Sequence, residues 1–361
     1  MTSNDLPLVS IIIISYNHEK YLDECIDSIL HQSYSNLEII IIDNNSVDKS
    51  KELIQNYAQL DTRVKFFPQE RNLYPSGAMN LGIGLCKGEY ISLISGDDYC
   101  SLCRVETQLN YMLEHNLSNL FSWINVVNDS SEVLKEHPFN GLFNRNFTAD
   151  EISRFLLCHG NTLCAGSVLL HRSIFERYGK FDARLLQLQD YEMWLRIASN
   201  EKLNILDEKL FNYRVRDDNK NLSLDNKDNG TLIRTNFETM QIAKKITCFK
   251  NDFLSIALNK PCNDINKYKN LFEFYLANNK KEFASGVLLA IFEELNKVRE
   301  EDFLKLYSYF LDKYSSFDFT GTVTIQEKEQ QIQEKDRQIQ EWHDIAQSLR
   351  IKNRIKKLFG M

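Results

Sequence analysis

The first hundred residues alternate between strand-like and helix-like hydrophobic patterns. The isoleucine-rich runs Val9–Ile14 and Leu37–Ile42 predict strands that are buried on both faces. Apolar residues at helical spacing lie between them, from Tyr21 to Leu30. The other predicted elements are a helix over 48–60, a strand over 64–68, a helix over 76–86 with Gly88 as its C′ residue, and a strand over 89–95. This alternation predicts an α/β fold with a mostly parallel sheet and right-handed crossovers.

Small polar or acidic residues follow three of the predicted strands. Because the carboxyl ends of parallel strands meet at one edge of a sheet, where ligands bind, we expect a site at that edge. The residues are Ser15, Tyr16 and Asn17 after the first strand, Asp43 and Asn44 after the second, and Asp97 and Asp98 after the strand over 89–95. The adjacent pair Asp97 and Asp98 fits a Mg²⁺ site, since Mg²⁺ takes one or two carboxylates and leaves the rest to water and phosphates. A solvated turn with a helix cap is the alternative.

From about residue 226 the pattern becomes helical, without buried-strand runs, as far as about residue 314. A seven-residue repeat follows at Ile325, Ile332 and Ile339, with one reliably apolar position per heptad. A stable coiled coil needs two such positions, so we expect a solvated helix that pairs weakly with a copy of itself as a homodimer. The predicted domains are residues 1–225, 226–320 and 321–361.

Composition and charge exclude several classes of protein. Hydrophobic residues make up 43% and charged residues 26%, an ordinary globular balance. The net charge of −7 argues against binding to nucleic acid, which needs a basic face. Among eight cysteines, Cys100 and Cys103 form the single CxxC pair, which is too little for a zinc site. No apolar run near the start approaches the ~20 residues of a spanning helix, and no basic leader precedes it, so we expect a cytoplasmic protein.

A series of ordered motifs extends through residues 7–225. They include Val9-Ser-Ile-Ile-Ile-Ile-Ser-Tyr-Asn17, Leu37-Glu-Ile-Ile-Ile-Ile-Asp-Asn-Asn-Ser46, Gly88-Glu-Tyr-Ile-Ser-Leu-Ile-Ser-Gly-Asp-Asp98, Tyr178-Gly-Lys-Phe-Asp182 and Gln189-Asp-Tyr-Glu-Met-Trp-Leu-Arg196. In this order and spacing the motifs closely resemble family 2 glycosyltransferases. The resemblance implies a GT-A type fold: a mixed, mostly parallel sheet with flanking helices, here followed by an all-helical C-terminal region.

The resemblance also implies a nucleotide-sugar-dependent, inverting transferase and assigns its site residues. Asp97 and Asp98 would hold Mg²⁺ or Mn²⁺, and Asp190 would be the catalytic base. For Trp194 and His159, which would face the acceptor, core packing and an ordinary loop histidine are the alternatives. The residues that would bind the donor are Ser15, Tyr16, Asn17, Asp43, Asn44, Arg71, Asn72, Ser95, Asp97 and Arg216.

The chemistry of the reaction agrees with these assignments. Breaking a sugar–phosphate bond requires neutralisation of the departing diphosphate, and the attacking hydroxyl must lose its proton to a positioned base. For Asp190 the alternative is a helix N-cap before residues 191–198. A uridine or thymidine donor (UDP or dTDP) is favoured, because an Asn or Asp at a strand end can accept the N3–H of a pyrimidine.

The sequence departs from the family's pattern at several site positions. Ser95 and Asn44 each replace a frequent Asp, Met79 an Arg that often faces the diphosphate, Gln189 a Glu, and Arg216 a His. Arg71 or Arg216 would then supply the charge missing at Met79. Two functions follow: transfer to a cell-envelope saccharide or lipid-linked acceptor, or a non-catalytic nucleotide-sugar-binding or scaffold protein of the same fold.

The last residues of the chain form a basic amphipathic pattern. No acid occurs from Ile345 to Met361. At about 100° per residue, Ile351, Ile355, Leu358 and Phe359 share one narrow face that excludes every cation. The cations are Arg350, Lys352, Arg354, Lys356 and Lys357. This pattern is typical of a helix in a membrane interface, so we expect peripheral association with an anionic membrane, on the inner face of the cell membrane. A C-terminal helix docked on the protein is the alternative.

Removal of the chain from Trp342 onward tests the membrane interpretation. Each cation near an anionic surface contributes about 1 kcal/mol that salt screens, so full-length protein should sediment with anionic vesicles at low salt and dissociate as salt rises. The truncated protein should not sediment, yet should keep its activity on soluble acceptors. Full-length protein that ignores anionic vesicles at low salt would contradict the interpretation.

Overall fold

The isoleucine-rich runs of the first hundred residues form two adjacent inner strands of a mixed eight-stranded sheet. The computed structural model describes residues 6–217 and 229–293, together with position 309. The strands are β1 (Val9–Ser15), β2 (Leu37–Asp43), β3 (Val64–Pro68), β4 (Tyr90–Ser95), β5 (Tyr99–Cys100), β6 (Asn119–Val127), β7 (Leu169–His171) and β8 (Ile205–Arg214). Their order across the sheet is β3-β2-β1-β4-β7-β6-β8-β5.

Helices connect and flank these strands. They are α1 (Leu22–Leu30), α2 (Ser50–Leu60), α3 (Tyr74–Leu85), α4 (Arg104–Glu114), α5 (Pro138–Phe143), α6 (Ala149–His159), α7 (Ser173–Tyr178), α8 (Gln189–Ala198), α9 (Asn229–Ile246), α10 (Asn251–Leu258), α11 (Asn266–Ala277) and α12 (Lys281–Glu293). The described residues up to Glu293 fall within one compact unit. None of the helices in those residues is long and apolar enough to cross a membrane.

The pairing pattern confirms the predicted mixed, mostly parallel sheet. Strands β1 to β4 pair with one another in parallel, and β6 pairs in parallel with β8. The antiparallel pairs are β4 with β7, β6 with β7 and β5 with β8. The chain runs outward from β1 to β3 and then returns to place β4 on the other side of β1. This reversal of strand order beside β1 creates the crevice in which open α/β sheets bind ligands.

Burial on both faces explains why β1 and β2 consist mainly of isoleucine. Ile11 and Ile13 share a core with the apolar face of α1, whereas Ile12 contacts α3 at Gly82. All three side chains are fully or almost fully buried. Polar side chains that bind a ligand therefore have to come from the strand ends.

Two predicted boundaries differ from the structure. The second helix begins at Ser50 rather than at residue 48, because the Asp48 carboxylate accepts the N–H of Ser50 at 3.0 Å and lies before the helix. Gly88 is not a helix C′ residue, since α3 ends at Leu85 with an extended C-cap and the φ of Gly88 is not positive. Glycine is required at position 88 because the chain there passes close to β1. A Cβ would contact Ser10 Oγ and lie 2.6 Å from the Ser10 nitrogen.

The C-terminal region is helical over residues 229–293, as predicted. Helix α12 packs closely on α9, where a Cβ on Gly286 would contact the Met240 carbonyl oxygen and lie 2.6 Å from Ala243 Cβ. The heptad repeat and the basic tail within 321–361 lie outside the described residues. The division into three predicted domains remains a prediction.

Substitution of Gly88 by alanine tests the close approach of the chain to β1. Overpacking of this kind typically lowers the free energy of unfolding by about 1–3 kcal/mol, which urea denaturation would measure. Gly141→Ala is the matched control, since a Cβ there meets nothing within 4 Å and alanine favours a helix. Equal losses in both variants would contradict the steric explanation.

Candidate active site

The turn after β1 is shaped by asparagine and serine. Asn17 has a φ of 56°, in the left-handed region that Asn tolerates better than most residues. Its N–H donates to Ser46 Oγ at 2.9 Å, and its Oδ1 accepts the N–H of Val47 at 2.9 Å. These bonds join the turns after β1 and β2. They leave Tyr16 as a partly exposed ring at the mouth of the crevice, with 44% of its surface accessible.

Asp43 lies at the carboxyl end of β2 and is completely buried. It stands opposite Ser15 in the parallel pairing of β1 and β2. Its Oδ1 accepts the N–H of Ser46 at 3.0 Å, whereas its Oδ2 and the Ser15 hydroxyl have no hydrogen-bond partner among the described residues. Buried polar atoms without partners are uncommon and indicate a place where a ligand's donor groups can bind.

Asn44 has a structural role that its sequence position does not disclose. Its Nδ2 donates to Asn72 Oδ1 at 2.8 Å, and its Oδ1 accepts the N–H of Leu73 at 2.7 Å. Asn72 Oδ1 also accepts the N–H of Tyr74 at 2.7 Å. The side chains of Asn44 and Asn72 thus fix the segment that begins α3, and their contacts with a donor stay a prediction. Arg71, just before this segment, is exposed.

Asp97 lies just after β4, among groups that come from different elements. Ser95 Oγ donates a short hydrogen bond to Asp97 Oδ1. Asp97 Oδ2 lies 3.6 Å from His18 Nε2 and 3.7 Å from an Arg216 guanidinium nitrogen. Arg216 is buried and also stacks on the ring of Tyr21, 5.4 Å from its centroid. Of the two arginines predicted to supply positive charge, Arg216 is therefore the one beside Asp97.

Asp98 faces a different environment from its neighbour. Its Oδ1 accepts the N–H of Arg214 at 2.8 Å, and the Arg214 side chain donates to the Asp97 carbonyl oxygen at 2.8 Å. Burial, with a contribution from the Asp97 charge, raises the pKa of the Asp98 carboxyl well above its ordinary value. Asp98, predicted as a second metal ligand beside Asp97, therefore has one carboxylate oxygen bonded to β8, and its metal role stays a prediction.

The donor set at Asp97 is compatible with a divalent cation that arrives with a nucleotide. The described residues contain no group of three or more His, Cys, Asp or Glu side chains that could hold a metal ion. One carboxylate is nevertheless enough for Mg²⁺ or Mn²⁺ when a diphosphate supplies further oxygen ligands. Asp97 Oδ2, which lies 3.6 Å from His18 Nε2 and 3.7 Å from an Arg216 nitrogen, is a carboxylate oxygen that can fill this role.

Asp190 lies in the first turn of α8, one residue after the helix begins. The N-cap position belongs to Leu188, so the predicted alternative of Asp190 as the N-cap is wrong. Asn161 Nδ2 donates to Asp190 Oδ2 at 2.9 Å, and the N–H of Tyr191 donates to Asp190 Oδ1 at 2.7 Å. Burial outweighs these two hydrogen bonds and raises the pKa of Asp190 to about 6.

The chain before Asp190 is tied to α3, the helix that starts at the donor edge of the sheet. Ser76 Oγ donates to the Leu185 carbonyl oxygen at 2.5 Å, and the amide of Asn80 bonds both the N–H and the carbonyl oxygen of Phe181. In addition, the charges of Asp98 and Asp190 both add to the effect of burial in raising the pKa of the Cys164 thiol. These contacts bring the Asp190 segment to the same region as Asp97.

The two predicted acceptor residues differ in exposure. Trp194 has no accessible surface, and its indole packs edge-on against Phe121 with ring centroids 4.8 Å apart. The acceptor role of Trp194 is therefore corrected to core packing. His159 is exposed at the end of α6, two residues before Asn161, and its ring lies 4.9 Å from that of Phe155.

Three residues near the site were missed as participants by the sequence analysis. His18 looked isolated because its partner Asp97 lies 79 positions away along the chain (97 − 18). Asn161 carries no motif of its own, and Arg214 lies in the segment Tyr213-Arg-Val-Arg216, of which only Arg216 was assigned a role; folding brings Asn161 to Asp190 and Arg214 to the Asp97–Asp98 turn. Position in a strand-end turn was the one available signal, and it applied to His18.

Comparison with known proteins identifies the family. The sequence profile of Glycosyl transferase family 2 matches residues 10–179. The glycosyltransferase MJ1057 of Methanocaldococcus jannaschii is 34% identical over 216 residues, which cover 58% of this chain and 72% of that protein. The O-antigen biosynthesis glycosyltransferase WbnJ of Escherichia coli is 33% identical over 225 residues, which cover 60% and 82% respectively. The chain belongs to glycosyltransferase family 2 and is a glycosyltransferase.

Solved structures share the GT-A fold. Staphylococcus aureus TarS 1–349 in complex with UDP-GlcNAc has a TM-score of 0.57 and 17% identity, covering 76% of this chain and 73% of that one. The mannosyltransferase PcManGT of Pyrobaculum calidifontis, in complex with GDP-Man and Mn²⁺, has a TM-score of 0.52 and 14% identity, covering 84% and 79%. At such identities the likeness shows the fold alone.

Proposed function

We propose that this glycosyltransferase is inverting and moves a sugar from a nucleotide diphosphate donor to a hydroxyl of a cell-envelope glycan or lipid-linked acceptor. The observation that carries the proposal is the environment of the Asp190 carboxyl. Its carboxyl is enclosed, is oriented by Asn161 and has a pKa raised to about 6, as a general base near neutral pH requires.

The nucleoside would bind at the carboxyl ends of β1 and β2. Tyr16 offers an exposed aromatic face for a base, and Asp43 Oδ2 offers an acceptor without a protein partner among the described residues. An acceptor at this place suits the N3–H of uracil or thymine, which supports a UDP or dTDP donor. The UDP-GlcNAc in TarS and the GDP-Man in PcManGT show that proteins of this fold take nucleotide sugars with either kind of base.

The diphosphate would lie over the turn after β4. Asp97 would hold the divalent cation, Mg²⁺ or Mn²⁺, which when bound neutralises the charge that develops on the leaving group. Arg216 adds a fixed positive charge 3.7 Å from the same carboxylate, and Arg214 holds the backbone of the turn. Two groups of this chain, the Asp97 carboxylate and the Arg216 guanidinium, would thus orient the phosphates.

Asp190 would remove the proton from the acceptor hydroxyl as that oxygen attacks the anomeric carbon. Asn161 donates to one carboxylate oxygen and the Tyr191 N–H to the other, which fixes the plane of the carboxylate. A single base with in-line attack gives inversion. The acceptor class is proposed from kinship with the O-antigen biosynthesis enzyme WbnJ.

The metal role is tested by comparing Asp97→Ala with Asp98→Asn. Asp97→Ala should abolish nucleotide diphosphate release from the donor and weaken UDP binding in the presence of Mn²⁺, and EDTA should have the same effect on the wild type. Asp98→Asn should keep Mn²⁺-dependent UDP binding, because the carboxyl of Asp98 bonds Arg214 instead. Calorimetry with UDP and GDP side by side measures both the binding and the base preference.

A screen of donors separates an enzyme from a binding protein. A panel of nucleotide sugars with envelope-type acceptors should reveal one donor from which the wild type releases nucleotide diphosphate. A non-catalytic scaffold would bind UDP and release none from any donor. Full activity in EDTA would exclude the metal role.

Asp190→Asn tests the base. Since a general base contributes about 10²–10⁴-fold, turnover should fall by that factor while UDP binding is retained. Wild-type turnover should rise with pH through about 6, where Asp190 ionises, and then level off. The raised pKa means that the folded carboxyl binds its proton more tightly than the unfolded one. The stability that this contributes is lost as the pH rises through about 6. Asp190→Asn should therefore be at least as stable as the wild type at pH 7.

The matched control for the base is Asp61→Asn. Asp61 pairs with Arg63 just before β3, at the amino end of that strand and away from the strand ends that form the site. This variant should leave turnover unchanged. An Asp190→Asn enzyme with the wild-type rate would show that Asp190 is not the base.

A further inference from the structure

Helix α9 of the C-terminal region forms hydrogen bonds with the chain just before the proposed base. Glu238 on α9 is 2% exposed. Its Oε1 accepts the N–H of Leu186 at 2.8 Å, and its Oε2 accepts the N–H groups of Gln187 at 2.9 Å and Leu188 at 2.8 Å. One carboxylate thus binds three consecutive backbone donors, which end at the N-cap of α8.

This contact satisfies backbone donors at the entry to α8. The N-cap of α8 is Leu188, whose side chain makes no capping hydrogen bond. Glu238 accepts the N–H of this N-cap residue and those of the two residues before it, while the N–H of Tyr191, inside the first turn, bonds Asp190. A carboxylate at a helix N-terminus also interacts favourably with the helix dipole. Glu238 therefore holds the turn that leads into α8, ending two residues before Asp190.

A second residue of α9 holds the other side of the same segment. Lys245 lies seven positions after Glu238, which is about two helical turns and hence the same face of α9. Its Nζ lies 2.7 Å from Asp182 Oδ2 and 2.8 Å from Glu192 Oε1. Arg184 and Lys245 together keep the pKa of Asp182 well below its ordinary value, so this carboxylate stays charged. Helix α9 consequently fixes the chain both before and after Asp190.

Helix α9 is itself anchored by α12. Gly286 allows the two backbones to approach at Met240, and Lys244 Nζ lies 2.5 Å from Glu293. The α8 residue that follows Asp190, Tyr191, contacts Phe283 of α12, with ring centroids 6.4 Å apart. Because these packed helices are rigid, a change at Glu238 would displace the turn rather than be absorbed by α9.

We propose that Glu238 is a positioning residue for the transfer reaction: it fixes the 186–188 turn so that the Asp190 carboxyl keeps its place beside Asn161. The inference rests on the proposed role of Asp190 as the base. It assigns the C-terminal helices a part in catalysis, although Glu238 touches no substrate.

Glu238→Gln in the full-length protein is the test. Glutamine has one acceptor oxygen, and its amide N–H groups would face backbone donors, so the turn should loosen without a change in side-chain size. Amide hydrogen exchange across 186–192 should accelerate. The carboxyl pKa of Asp190, followed by carbon NMR and identified by its loss in Asp190→Asn, should move away from about 6, because burial raises this pKa and the Asn161 hydrogen bond lowers it, and both depend on the place of the carboxyl. Turnover should fall about ten- to a hundred-fold, as small misplacements of a reacting group do, while UDP binding persists.

Glu38→Gln is the matched control. Glu38 is also buried, and accepts the Gly88 N–H at 3.0 Å and Ser10 Oγ at 2.5 Å, but it lies at the amino end of β2, away from the donor edge. This variant should lose stability and keep the Asp190 pKa and turnover of the wild type. If Glu238→Gln leaves both the Asp190 pKa and turnover unchanged, or if Glu38→Gln lowers turnover equally, the positioning role is wrong.

A double-mutant cycle separates failure of this inference from failure of the proposed base. If Glu238 acts through Asp190, Glu238→Gln should cause no further loss of turnover in the Asp190→Asn background. Multiplicative losses would mean that Glu238 acts elsewhere and would overturn the inference. A wild-type rate in Asp190→Asn would instead remove the base, whatever Glu238→Gln does to the turn.

Discussion

Burial of β1 and β2 on both faces is the constraint from which the rest of the site follows. Side chains such as Ile11, Ile12 and Ile40 have almost no accessible surface, so the middle of the sheet cannot carry chemistry. Functional groups are confined to the ends of the strands, where the apolar layers stop. The parallel register places Ser15 beside Asp43 and Ile14 beside Ser95, and so gathers the ends of β1, β2 and β4 at one edge.

Within that edge, hydrogen-bond partners decide what each polar group can do. Asn44 and Asp98 are engaged by backbone N–H groups, and therefore hold the loops in place. Asp43 keeps an oxygen without a partner among the described residues, and Asp97 faces basic groups at a distance. Residues that depart from the family's pattern also lie in this arrangement. Ser95 bonds Asp97 directly, Arg216 places a positive charge 3.7 Å from the Asp97 carboxylate, and Met79 is buried.

Helix α9, in the C-terminal region, contacts the segment that carries the proposed base. The carboxylate of Glu238 satisfies three backbone donors of the 186–188 turn, and Lys245 pairs with two carboxylates on either side of Asp190. A buried carboxylate is costly unless it is fully hydrogen-bonded, and here the donors of the turn meet that requirement. The α8 segment and α9 therefore depend on each other for satisfied polar groups.

Much of the architecture was predictable from the residues, because periodicity reflects burial directly. The isoleucine runs predicted β1 and β2, and the strand-end polar residues predicted the site edge. Sequence could not distinguish Asp97 from Asp98, since adjacent residues share the same motif. Only the fold decides that Asp98 bonds the backbone of Arg214 while Asp97 faces His18 and Arg216. Nor could it connect Asn44 with Asn72, 28 positions away, or Glu238 with Leu188, 50 positions away. Such pairs are set by packing of distant elements, which local patterns do not encode.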